Sequence, residues 1–342
     1  MKIKSIQIYG LFNEYDYCLD LNPDLTYLHA PNGSGKSTLL RLIKMALGGE
    51  VDRLAKTPFS RLDIFFDDGS TLIIENEDQD LRVQMQKTEL ETPIGPEEMG
   101  SLLHCVYAGA DRTVVPTSDG HLAQALDVFI QELSDRYASV AEAGKIKLLP
   151  TDGDMNDVEL EQALMDVKAK LDYMKSSGLE PEIPAKVRFP PTRYDIASNK
   201  ASYISLLKSL REYVDKGYQL AESIITYQDT VNSIFINKTL TITEYGRMTV
   251  SMNNGTALRL CDLSSGEKQI LVMFYLLLFR TGPGDLAIVD EPEISLHVCW
   301  QQMLGNYYLD ICRVRGIQML VATHSPQVIH DRWDLAVELR SR

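Results

Sequence analysis

Residues 29–38 read "HAPNGSGKST", between an apolar run, "LTYL", and a helical pattern, "LLRLIKMAL". The stretch is one residue short of the phosphate-binding pattern G-x-x-x-x-G-K-[ST], because Ala30 stands where the first glycine belongs. A phosphate chain needs converging backbone N–H donors and a positive charge. Gly33 and Gly35, within the loop Asn32–Gly33–Ser34–Gly35, let the backbone wrap closely without Cβ clashes. A helix opening near Lys36 would aim its first amides and its dipole at the same point. Lys36 would reach the β- and γ-phosphates, Ser37 would ligate Mg²⁺ through its hydroxyl, and Thr38 would add a hydrogen bond. At Ala30 one methyl costs little if φ is negative, and roughly 1 kcal/mol or more if φ must be positive.

The 342 residues suffice for one large α/β domain or two ordinary ones. Hydrophobic residues make up 44%, the usual share for a soluble globular chain. The longest apolar run, "ILVMFYLLLF" at 270–279, is too short for a membrane span and reads as a buried helix. The N-terminus, "MKIKSIQIYG", alternates like a strand and lacks a signal-peptide layout. Five scattered cysteines with no C-x-x-C pair argue against a disulfide framework or zinc site, and for a reducing cytoplasm. A net charge of −14 argues against a general nucleic-acid coat protein without excluding a local basic patch.

"RLDIFFDDGSTLIIENED" is a hairpin around Asp68-Gly69, and "LRVQMQK" extends its sheet. From about 119 to 177 the pattern turns helical. Leu160, Leu164, Val167, Leu171 and Met174 form a heptad seam, and a second helix from about 199 to 235 carries Leu207, Leu210, Val214, Tyr218 and Ala221. These stripes suit either packing against a sheet or a protruding helical arm. The proline-rich segment between them cannot be helix, and its "KVRF" is a candidate core strand. "TLTITEYGRMTVSMNNGTALRL" is another hairpin region. The pattern divides the chain at 1–117, 118–235 and 236–342: two parts of an α/β domain around a helical insertion.

Three further motifs sit in the last part. "DLAIVDEPE" is a buried strand with Asp290 and Glu291 at its carboxyl end, where open α/β sheets bind ligands. Adjacent carboxylates on a strand point to opposite sides, which suits separate roles: Asp290 in a magnesium shell and Glu291 as general base. "LSSGEKQ" at 263–269 reads alone as a capping box, Ser264 with Glu267. "VATHSP" places His324 after another buried strand.

In this order the four motifs resemble the ABC-type ATPases, with "LSSGEKQ" resembling their signature Leu-Ser-Gly-Gly-Gln. Ser264 and Gly266 match it, while Ser265 and Glu267 depart from it. The long gap between P-loop and signature resembles the SMC, RecF and OLD branch, and the "EPEISLH" and "THSP" wording is like small OLD-related prokaryotic ATPases. The resemblance implies a P-loop ABC-type head, with a mixed sheet, an antiparallel β subdomain and a helical insertion. It implies ATP and Mg²⁺ as ligands, with ATP sandwiched in a homodimer. Lys36, Asp290, Glu291 and His324 would come from one head, and Ser264, Ser265, Gly266 and Glu267 from the other. His324 would be the switch histidine, and His297 lies where the family has its D-loop, although packing suits it equally. The family's glutamine loop has three candidates, Gln84, Gln86 and Gln124.

The resemblance further implies an ATPase subunit controlling a separate effector, a nuclease or toxin, in anti-phage defence. The alternatives are a repair or recombination ATPase that clamps DNA, and a scaffold that binds ATP without turnover. Transporter subunits place signature and P-loop closer together. "NKTL" at 237–240 lacks the aspartate of a guanine-reading motif. "TDGDMND" at 151–157 lacks the glycine and final glutamate of a calcium loop.

Overall fold

Alternation over the first residues predicts a strand with one buried face. In the computed structural model, β1 (Ile3–Leu11) buries Ile3, Ile6, Ile8 and Leu11. The structure describes residues 1–31, 33–87, 90–116, 122–148 and 155–339. These form two compact units, one built from 1–113 with 265–342 and the other from 114–264.

The first unit continues with β2 (Tyr15–Asp20), β3 (Leu25–His29), α1 (Lys36–Leu47), α2 (Val51–Ala55), β4 (Arg61–Phe66), β5 (Ser70–Glu77), β6 (Asp80–Lys87), β7 (Leu90–Pro93), α3 (Pro96–Ser101) and β8 (Cys105–Ala108). The second unit follows with β9 (Val114–Pro116), β10 (Leu122–Gln124), α4 (Ala125–Ala143), α5 (Asp157–Lys175), α6 (Arg193–Ser198), α7 (Lys200–Ile234), β11 (Lys238–Ile242), β12 (Met248–Met252) and β13 (Ala257–Leu258). The chain then returns to the first unit through α8 (Ser265–Phe279), β14 (Leu286–Asp290), α9 (Val298–Arg315), β15 (Gln318–Thr323), α10 (Pro326–Ile329) and β16 (Ala336–Glu338).

The first unit is the expected α/β head, with its parallel and antiparallel strands in separate sheets. One sheet is parallel, in the order β16-β3-β15-β14-β8; the other is antiparallel, in the order β2-β1-β4-β5-β6-β7. Helix α1 shares one apolar core with both. Leu39, Leu40, Leu42, Ile43, Ala46 and Leu47 pack in a cluster with Ile6, Ile64 and Ile74 from one sheet and Ile288 and Leu320 from the other. That explains why its apolar residues exceed a single stripe. Helix α8 is apolar nearly all round and buries thirteen of its fifteen residues. Among the described residues, no helix is long and apolar enough to cross a membrane.

In the second unit the two predicted stripes meet each other. Leu160, Leu164, Val167, Leu171 and Met174 of α5 are buried, as are Leu207, Leu210, Val214 and Ala221 of α7. A Cβ at Gly217 would lie 2.7 Å from Met174 Cε and 2.8 Å from Val140 Cγ1, so this glycine permits the close approach of α4, α5 and α7. The stripes therefore serve helix-on-helix packing within the unit.

Two expectations are corrected. The hairpin β11–β12 belongs with the helices, so the unit extends past residue 235. Asn232 on α7 exchanges two hydrogen bonds with the Leu240 backbone, at 2.7 and 2.9 Å, and Gln228 Oε1 accepts from Ile242 N at 2.6 Å. The segment "KVRF" forms no strand: Val187 is buried, but its backbone turns, flanked by Pro184 and Pro190. The start of "TDGDMND" lies outside the described residues, while its Asn156 caps α5 by accepting from Glu159 N.

Beside the shared apolar core, the Gln318 side chain ties the two sheets of the first unit together by hydrogen bonds. Gln318 is 2% exposed; its Oε1 accepts from Ile3 N at 2.9 Å, and its Nε2 donates to Ile3 O at 2.8 Å and Asn22 O at 2.9 Å. Gln318→Leu would strand these backbone groups in an apolar surrounding. We expect it to lower unfolding stability by roughly 2–4 kcal/mol. Chemical denaturation checks this, and an unchanged midpoint would contradict it.

Candidate functional site

Parallel pairing brings the site together. His29 at the end of β3 stands opposite Thr323 of β15, and Ala322 stands opposite Asp290 of β14, so the carboxyl ends of all three strands open on one edge. The loop after β3 turns through Gly33 (φ +84°) and Gly35 (φ +79°) into α1. These left-handed values favour glycine, and a Cβ on Gly35 would already lie 3.3 Å from Leu11 Cδ2. Tyr17 braces the loop by donating its hydroxyl hydrogen to Ser34 O at 2.8 Å. Ala30 is buried and has no positive φ, so the missing glycine costs little. Asn32 lies outside the described residues.

Phe12, Gly33, Gly35, Lys36, Ser37, Thr38, Glu291 and His324 line one open cleft of about 460 Å³. Lys36 is nearly buried, and its Nζ donates to Ala30 O at 2.7 Å and Pro31 O at 2.9 Å. Burial pushes its pKa down, against the opposing pull of Glu291, Glu293 and Asp290. Ser37 Oγ donates to Asp290 Oδ1 at 3.1 Å, joining groups 253 residues apart in sequence. The other Asp290 oxygen, Oδ2, accepts from Tyr107 OH at 2.9 Å.

Glu291 departs from strand geometry. Its φ of +48° ends β14, and its N–H donates to Ala322 O at 2.9 Å. Alternation along a strand would send Asp290 and Glu291 to opposite sides. The left-handed turn instead lets Glu291 line the cleft while Asp290 reaches Ser37. Such a turn in a non-glycine residue stores strain, typically about 1 kcal/mol or more.

Glu293, Tyr107, Arg112 and Phe12 were not singled out by the motif reading. Glu293 is 7% exposed; its Oε1 accepts from Thr323 Oγ1 at 2.8 Å and His324 N at 3.0 Å, and it lies 3.0 Å from His324 Nδ1. That contact orients the imidazole and assigns Nδ1 as the donor nitrogen. Arg112 is 4% exposed and donates to Asp290 O and Pro292 O, both at 3.3 Å, which braces the turn that carries Glu291. The third acid of "DEPE" was the one available signal for Glu293. Tyr107 and Arg112 lie about 180 residues from their partners and carry no motif.

The signature stretch is placed elsewhere. Ser264 closes the second unit and Ser265 opens α8 in the first. A Cβ on Gly266 would lie 2.4 Å from Ser295 O, so close backbone packing requires this glycine. Glu267 is buried, and none of residues 264–267 lines the cleft. Gln84 and Gln86 lie on β6 and Gln124 at the end of β10, and none of these lines it either. His297 caps α9, its Nδ1 accepting from Cys299 N at 3.3 Å.

Comparison with known proteins agrees with this architecture. Residues 1–175 match the family model described as "AAA domain", and residues 167–330 match one described as "AAA domain, putative AbiEii toxin, Type IV TA system". Among solved structures, the chain is similar to the Smc head domain with an extended coiled coil bound to the C-terminal domain of ScpA, derived from Pyrococcus furiosus. That match has 13% identity, covers 99% of this chain and 94% of that one, and has a TM-score of 0.51. An SmcHead bound to the C-winged helix domain of ScpA matches at 12% identity over 100% and 95% of the two chains, with a TM-score of 0.52. Identities this low speak to fold alone. No curated protein matches the sequence. The chain belongs to the AAA-domain ATPase family, with the fold of an SMC-type, ABC-like ATPase head.

Proposed function

We propose that this head hydrolyses ATP between two copies of the chain and uses head engagement to switch a separate effector. The observation that carries the reading is the convergence of Lys36, Glu291 and His324 on one cleft, where Ser37, also lining it, is hydrogen-bonded to Asp290. The triphosphate would lie in the loop of Gly33, Ser34 and Gly35 at the start of α1, with Lys36 moving from the loop carbonyls to the phosphates. Asn32 would complete the wrap, and Thr38 would add a hydrogen bond.

Ser37 and Asp290 suit Mg²⁺ because a hydroxyl and a carboxylate are hard oxygen donors already within 3.1 Å of each other. Among the described residues no three His, Cys, Asp or Glu side chains form a cage. An ion held by Ser37 and Asp290 would neutralise phosphate charge when bound. Glu291 would accept the proton of the attacking water as general base, and its left-handed backbone would hold the carboxylate in the cleft. His324, positioned by Glu293, would contact the terminal phosphate and sense its loss.

Ser264 and Ser265 are exposed while Gly266 and Glu267 are buried, so in the role that the ABC resemblance gives this stretch the two serines would face the nucleotide of the opposite subunit. ATP is then a removable bridge, and its hydrolysis releases the partner head. The description of the second matching family names a toxin and a Type IV TA system, which supports a toxin–antitoxin setting; a separate nuclease or toxin effector and anti-phage defence rest on the resemblance to OLD-related ATPases. The net charge of −14 favours an effector over DNA clamped directly by the heads.

Glu291→Gln is expected to lower turnover at least 100-fold while ATP binding persists, and to shift the chain to a dimer with ATP in a sizing experiment. A monomer under those conditions contradicts the sandwich, and unchanged turnover removes Glu291 as base. A wild type without turnover would leave an ATP-binding scaffold. Glu293→Gln should lower kcat about tenfold with little change in KM, because it disturbs His324 and not the phosphate loop. A change confined to KM would contradict that assignment.

A further inference from the structure

The parallel pairing that builds the cleft also brings in a residue from outside its motifs. Strand β8 lies beside β14, and Tyr107 stands opposite Ile288. Ile288 and Asp290 are two residues apart on their strand, so all three side chains leave the same face of the sheet. Helix α1 covers that face: Ile288 packs with α1 residues in the shared core, and Tyr107 packs against the same cluster. Two residues of strand span about 7 Å, a distance that a tyrosine side chain can bridge. The Tyr107 hydroxyl accordingly reaches Asp290 Oδ2 at 2.9 Å, across 183 residues of sequence.

The two oxygens of Asp290 are thus divided between two donors. Ser37 Oγ donates to Oδ1 at 3.1 Å, and Tyr107 OH donates to Oδ2. Asp290 is 2% exposed, so water has little access to replace either one. Arg41 follows Ser37 by one turn of α1, on the same face of the helix, and its side chain approaches the Tyr107 hydroxyl. An arginine only donates, and a tyrosine hydroxyl carries one hydrogen. With Arg41 donating to its oxygen, Tyr107 commits that hydrogen to Asp290. Ser37, Asp290, Tyr107 and Arg41 then close a ring across α1, β14 and β8.

We propose that Tyr107 is a positioning residue for the metal site. It fixes the rotation of the Asp290 carboxylate, so that Oδ1 stays beside Ser37 Oγ and the two oxygens can share one ion. Tyr107 would touch neither phosphate nor metal; its role rests on the Mg²⁺–ATP reading of the cleft and acts through Asp290 alone. Without the tyrosine hydroxyl, the carboxylate is free to turn away from Ser37. Partners that orient a metal-binding carboxylate are typically worth about 10–100-fold in metal affinity.

Tyr107→Phe removes one oxygen and keeps the ring that packs against the core. Calorimetric titration of the full chain with a non-hydrolysable ATP analogue, once in excess Mg²⁺ and once in EDTA, separates the ion from the phosphate loop. In wild type the analogue should bind more tightly with Mg²⁺. In Tyr107→Phe that gain should fall about tenfold, while affinity in EDTA stays within roughly twofold of wild type. The Mg²⁺ concentration for half-maximal turnover should rise about tenfold, with the rate at saturating Mg²⁺ within about threefold of wild type. Arg41→Met should shift both quantities in the same direction by a smaller factor. An unchanged gain in Tyr107→Phe would overturn the proposal. Equal weakening in Mg²⁺ and in EDTA would do so too, because Tyr107 would then support the phosphate loop and not the ion. A wild type whose binding ignores Mg²⁺ would overturn the metal reading of the cleft itself, and the role of Tyr107 with it.

Discussion

The parallel register of β3, β15 and β14 is the constraint on which the rest of the head depends. Parallel strands share an orientation, so every loop leaving their carboxyl ends emerges at one edge. His29, Thr323 and Asp290 belong to three distant parts of the sequence, yet pairing places them within neighbouring rungs. The phosphate loop, the acidic turn and the histidine loop each inherit their location from that pairing. Loss of one rung would move Asp290 by a residue length relative to Ser37 and break a contact that depends on a few tenths of an ångström.

Elements governed by local chemistry were legible in the sequence. The stripes on α5 and α7 follow helical periodicity, and the buried strands read as continuous apolar runs. The glycine-rich turn into α1 was legible because its glycines, lysine and hydroxyl are consecutive. Features that depend on a distant partner were not. Strand alternation gives no warning of the left-handed backbone at Glu291, which the Ala322 carbonyl and the braced loop around Arg112 accompany. "KVRF" has the composition of a strand but finds no neighbour to pair with. The β11–β12 hairpin looked like part of the ATPase head until the side chains of Gln228 and Asn232 tied it to α7.

Gly266 shows how one residue can satisfy two demands. By resemblance it belongs to an anion-binding signature, while in this chain the carbonyl of Ser295 leaves no room for a Cβ. Packing alone is enough to require glycine there. The boundary between the compact units falls one peptide bond earlier, between Ser264 and Ser265. The start of α8 is thus pinned to the first unit, and the residue before it is the last of the second.

The hydrogen bonds of Lys36 bear on the rate at which nucleotide enters. Its ammonium already holds the Ala30 and Pro31 carbonyls, so an incoming phosphate displaces bound acceptors. In the ATP binding proposed for this head, an association that waited on release of the ammonium would level off in rate at high nucleotide concentration. The two carbonyls keep a buried cation from standing unpaired.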